Sequence, residues 1–154
     1  AGFLPDDYAG QGGPFLRPGL WQQLVLPGLK RIFTVYRDAG LPVFFHTCGR
    51  AELFVPDLLA TGVDVFNLQS DACDLAALKA RYGQRIAFLG GISSQLMQTG
   101  TPEEIRRSVL AAMQDLGKEG GLILCPDQPL VFPAENEAAL VATALSFGRY
   151  PLSA

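Results

Sequence analysis

Basic residues, histidine and cysteine are all scarce in this sequence. Lys and Arg total 12 against 15 Asp and Glu, for a formal net charge of −3, and the 154 residues hold one His and three Cys. A nucleic-acid partner is not supported, because neutralising phosphates takes a basic excess gathered on one face. No apolar run reaches the ~18 residues that would span a bilayer. Nor does a basic segment followed by an apolar stretch open the chain in the manner of a signal peptide. No membrane partner is expected, and a cytoplasmic location is the default expectation. Cys48, Cys73 and Cys125 are odd in number and far apart. That argues against a disulfide framework and leaves buried thiols or metal ligands. Long internal repeats and low-complexity tracts are missing too. What remains is ordinary globular material, 49% apolar and 18% charged, long enough to bury one core, so a single domain over residues 1–154 is expected. The 17 Gly and 11 Pro fall between apolar segments and mark turns.

Along the chain, apolar runs and helical periods alternate. Residues 1–18, rich in Gly and Pro, read as a loop whose polar content is Asp6, Asp7 and Gln11. A helix is expected over 19–39, kinked at Pro27-Gly28, then a buried strand over 41–45 and a short helix over 51–60. A second strand over 63–69 precedes a helix from its N-cap Asp74 to Tyr82. A third strand over 85–89 closes on Gly90-Gly91. Thr101-Pro102-Glu103-Glu104 is a capping-box start for a helix to Leu116. A fourth strand over 121–125 and a helix over 134–147 complete the chain. About four βα units imply parallel strands joined by crossovers, an α/β fold with ligands at the carboxyl ends of the strands.

Those ends carry His46-Thr47-Cys48-Gly49, Asn67-Leu68-Gln69, Gly90-Gly91 and Cys125-Pro126-Asp127-Gln128. Residues two apart on a strand share a face, so the imidazole of His46 and the thiol of Cys48 can converge on one Zn²⁺. Cys125 ends the fourth strand and supplies a third ligand if the sheet curls. Such a His-Cys-Cys set with an open position is a catalytic pattern that activates a bound thiol. The plainer alternative is a hydrogen-bonded strand-end histidine beside ordinary thiols. Cys73 has no partner near it in sequence and reads as a buried thiol. Asp6 and Asp7 are either a carboxylate pair for acid–base work or for holding a cationic group, with Asp7 the catalytic candidate and Asp6 a candidate substrate contact, or turn-capping residues. Asn67, Gln69 and Gln128 are candidate substrate contacts, with hydrogen bonds to neighbouring loops as the alternative for the first two.

Seven segments together resemble the uroporphyrinogen decarboxylase-like superfamily. They are Asp6-Asp7-Tyr8-Ala9-Gly10-Gln11, Leu41-Pro42-Val43-Phe44-Phe45-His46-Thr47-Cys48-Gly49, Gly62-Val63-Asp64-Val65, Leu78-Lys79-Ala80-Arg81-Tyr82-Gly83, Phe88-Leu89-Gly90-Gly91-Ile92, Gly100-Thr101-Pro102-Glu103-Glu104-Ile105 and Gly120-Gly121-Leu122-Ile123-Leu124. Within that superfamily they look most like the cobamide-dependent methyltransferase branch. The resemblance implies a (β/α)8 TIM barrel, of which this chain matches the C-terminal half. The N-terminal half, with its arginine-rich substrate contacts, has no counterpart here, so haem-pathway decarboxylation is not implied. By resemblance His46 and Cys48 would hold zinc, which would activate a thiol to accept methyl from a methylcobamide carried by a partner. The family's late Cys falls where this sequence has Gln128, with Cys125 three residues earlier. Ser93 stands where the family often has Asp. The resemblance also leaves open a catalytically incomplete binding or assembly module, and a metal-independent decarboxylase-like lyase using Asp7. Half a barrel exposes two sheet edges, so a homodimer or association with a missing half-barrel is expected.

Overall fold

The computed structural model describes residues 1–152. Five strands form one parallel sheet in the order β1 (Gly2–Pro5), β4 (Val43–Thr47), β5 (Val65–Leu68), β6 (Ala87–Ile92) and β7 (Leu122–Pro126). This corrects the expected four. β1 lies inside the opening segment expected to be a loop. Its four residues, framed by Gly2 and Pro5, are too few to show a periodicity, and pairing with β4, Gly2 opposite Val43, makes the strand. The rest of that segment folds into a small antiparallel hairpin of β2 (Ala9–Gly10) and β3 (Gly13–Pro14).

The expected long helix is two helices, α1 (Pro18–Leu24) and α2 (Leu26–Asp38), hinged at Val25. The break falls ahead of the expected kink because a proline ring clashes with the turn before it. Pro27 therefore sits in the first turn of α2, where its missing N–H leaves no bond unmade. A single 3₁₀ turn leads into α3 (Val55–Thr61). Helix α4 (Leu75–Tyr82) starts as expected at Asp74, whose carboxylate accepts the Ala77 N–H at 2.9 Å. A short helix not expected from sequence, α5 (Ser94–Thr99), is capped by Ser93, which accepts from Leu96 N. The capping box of Thr101 and Glu104 opens α6 (Pro102–Ala112), which loosens into a π-helical turn at Met113–Gly117. Helix α7 (Ala134–Phe147) packs on α6.

The two faces of the sheet differ. One carries Phe45, Phe66 and Phe88, buried with Trp21, Phe33 and Phe54 from the flanking segments. Trp21 stacks on Phe54 with 4.4 Å between ring centroids. The register places Phe3, Phe44, Val65 and Ala87 side by side on the other face, with Leu89 beside Ile123. On that face Phe3 is 48% and Ile123 46% exposed. The outer face is thus packed beneath helices, while the inner face is open at its two edges, at Phe3 and Ile123, with Val65 buried at its centre.

Candidate functional site

The site forms at the carboxyl rim of the sheet, where the inner face meets the loops. His46 is the fourth residue of β4 and Cys48 follows its end, so both leave the inner side. His46 Nε2 lies 3.3 Å from Cys48 Sγ. Asp7 comes from the loop after β1, and its Oδ1 accepts the Cys48 N–H at 2.8 Å. Ligand atoms of Asp7, His46 and Cys48 lie within 4.8 Å of one another. Asp6 beside them turns elsewhere, accepting from the Tyr8 hydroxyl.

Gly49 fixes this corner. Its φ is +72°, and a Cβ there would stand 2.6 Å from the backbone of Ala9 and Gly10. Only glycine lets the hairpin close over the end of β4, where Arg50 N bonds Gly10 O. Gln69 Oε1 accepts the Gly49 N–H at 2.7 Å, so Gln69 is engaged with the loop. Cys73 is buried and donates to Gly49 O.

The remaining polar residues brace the histidine and the sulfur. Asn67 Oδ1 is 2.7 Å from His46 Nδ1, while Asn67 Nδ2 donates to the carbonyls of Leu89 and Asp127. Gln128 Nε2 donates to Cys48 Sγ at 3.1 Å. Position 128, where the resembled family carries its late Cys, is therefore at the sulfur. Cys125 is not among the clustered ligand atoms of the described residues. It lies on the inner side of β7 opposite Gly91, lining a largely apolar cavity of about 570 Å³ with Phe3, Leu89 and Leu130.

Asp127 is the organiser that sequence reasoning passed over, although it stands in the strand-end cluster. Its buried carboxylate accepts from Ser70 N, Ser70 Oγ and Gly91 N. Gly90 leaves room for it, since a Cβ there would come within 2.7 Å of Asp127 Oδ1. The paired glycines thus serve a carboxylate of the chain itself. Burial raises the Asp127 pKa, against the lowering effect of those bonds. Burial, then the Asp7 carboxylate, pushes the Cys48 thiol up to about 11, with Gln128 acting in the opposite sense. Burial also raises the thiol of Cys125. The metal-free chain therefore keeps Cys48 protonated at neutral pH.

A sheet of parallel strands joined by helices, with polar residues gathered at its carboxyl rim, defines an α/β protein. The family profile for uroporphyrinogen decarboxylase matches residues 5–146, and the chain belongs to that family. No curated protein matches the sequence. Among solved structures, a methyltransferase from Methanosarcina mazei superposes with a TM-score of 0.77 at 19% identity, covering 96% of this chain and 42% of that one. This chain thus has the fold of under half of that protein, which accords with a partial barrel. Among the described residues, no helix is long and apolar enough to cross a membrane.

Proposed function

We propose that this chain carries the metal-binding rim of a zinc-dependent methyltransferase, which moves a methyl group from a methylcobamide to a thiol. The observation behind this reading is the convergence of Asp7, His46 and Cys48 within 4.8 Å. The donor set suits zinc: imidazole nitrogen, thiolate sulfur and carboxylate oxygen all ligate at ~2.0–2.3 Å, and three protein ligands leave a fourth position open. When bound, zinc would hold a substrate thiol as the nucleophilic thiolate at neutral pH. The chain's own residues prepare that position. Cys48 would hold the metal as its thiolate, with Gln128 donating to the sulfur. Asp7 is pinned by the Cys48 N–H. In the transfer, the thiolate sulfur would bond the methyl carbon as the carbon–cobalt bond breaks, leaving that electron pair on cobalt. The corrinoid is a partner's cofactor.

The test is thioether formation from methylcobalamin and a small thiol in the presence of zinc. The wild-type chain should exceed the protein-free rate, and His46→Ala should fall back to it. Equal rates for the two would contradict the reading. A second reading has its own observation. Gln128 occupies the sulfur-facing position and Cys125 stands apart, as a binding module with a lapsed metal site would have them. That module would assemble without zinc and transfer no methyl. A metal-independent decarboxylase-like lyase using Asp7 would show turnover unaffected by chelators.

The open inner face calls for a partner. Five strands of an eight-stranded barrel leave three unfilled, whereas two copies closed edge to edge would make ten. We therefore favour a complementary half-barrel of three βα units over a homodimer.

A further inference from the structure

We propose that Asn67 is a positioning residue: it holds the neutral His46 ring with its proton on Nδ1 and so turns a bare Nε2 toward Cys48 and Asp7. A primary amide has two N–H donors on nitrogen and an oxygen that only accepts. Asn67 Nδ2 stands 2.7 Å from Leu89 O and 3.3 Å from Asp127 O, both acceptors. Turning the amide over would press its oxygen against two carbonyl oxygens in a site where Asn67 is 6% exposed. The oxygen therefore faces His46 Nδ1, at 2.7 Å. Because that oxygen cannot donate, Nδ1 must. A neutral imidazole has one N–H, so Nε2 carries only its lone pair, 3.3 Å from the Cys48 sulfur.

The brace reaches across the sheet. Asp127 O is held in place because the carboxylate of the same residue is bonded by Ser70 N, Ser70 Oγ and Gly91 N. Leu89 on β6 and the loop after β7 thus fix together, through one buried amide on β5, which nitrogen of a β4 histidine is available. The value of a bare Nε2 as a ligand rests on the zinc reading above, but the tautomer stands without it.

This chain has one histidine, so ¹⁵N-imidazole labelling yields the signals of a single ring. Long-range ¹H–¹⁵N correlation on the metal-free protein, at a pH where the ring is neutral, should show a protonated Nδ1 and an unprotonated Nε2. A protonated Nε2 overturns the proposal in the wild-type chain alone. Asn67→Leu should shift the ring toward the Nε2–H form and weaken zinc binding by ~10–100-fold. A folded Asn67→Leu protein that keeps the wild-type tautomer overturns it equally, and should that variant fail to fold, the wild-type spectrum still decides. A wild-type ring of the expected tautomer in a protein that takes up no zinc would strike the metal reading and leave this one standing.

Discussion

Cys48 is surrounded by groups that pull its proton affinity in opposite directions. Burial and Asp7 raise it and the Gln128 amide lowers it, with a net pKa of about 11. Burial raises Cys73 to about 11 as well. An acid whose folded pKa lies above its unfolded value binds its proton more tightly in the folded state. Its contribution is present at lower pH and is lost as pH rises from the unfolded pKa through the folded one. For both thiols that window runs from about 9 to about 11. Urea denaturation of the metal-free protein should show stability declining across it, with a shallower decline in Cys48→Ser. Equal slopes would mean that the Cys48 environment is not as described. Much of this was legible in sequence. The strand period put His46 and Cys48 on one side, and Cys73 read correctly as a buried thiol. The partners were not legible, because Asp7, Asn67 and Gln128 reach the pair from elements 21 to 80 residues away, distances that no local pattern encodes.

At the scale of elements, the strands had to reach far enough to place these groups at the rim. Four of the five sheet strands lie within one to three residues of where apolar runs alone put them. β4 begins at Val43 and takes His46 into the strand, and β6 runs through Gly90 and Gly91 to Ile92. Composition hid this, since polar and glycine residues look like loop while ladder bonds to neighbouring strands continue through them. Helices with chemical stops and starts were the more readable elements, as Asp74 and the Thr101–Glu104 box show. β1 and α5 were too short to read. The corner after β4 gives an element-scale prediction. Gly49→Ala puts a Cβ 2.6 Å from the hairpin backbone at a left-handed φ. It should therefore cost ~1–3 kcal/mol or more in chemical denaturation and loosen the Asp7 contact to Cys48. A loss within ~0.5 kcal/mol would show that the hairpin does not close there.

The whole molecule is asymmetric in burial: aromatic on the helix-covered side, open on the side that a closed barrel would enclose. Leu24 and Val35 on the helices beside β1 are exposed, as are Val141 and Leu145 on the helix after β7. Exposed apolar side chains thus occur on these helices as well as on the edge strands, and neighbouring barrel units would cover such surface. The purified 16.5 kDa chain should scatter light as species larger than one copy. It should bind a complementary three-strand half-barrel in preference to itself. A stable monomer indifferent to such a partner would contradict the open-barrel account. The family resemblance read from sequence anticipated a partial barrel but not its five strands.

The central claim is that Asp7, His46 and Cys48 form a metal site, and zinc content tests it most directly. Purified with added zinc and dialysed, the folded wild-type chain should retain close to one zinc per chain. His46→Ala and Cys48→Ser, equally folded, should retain almost none. A wild-type chain that emerges without zinc, or variants that hold as much as it does, would contradict the account.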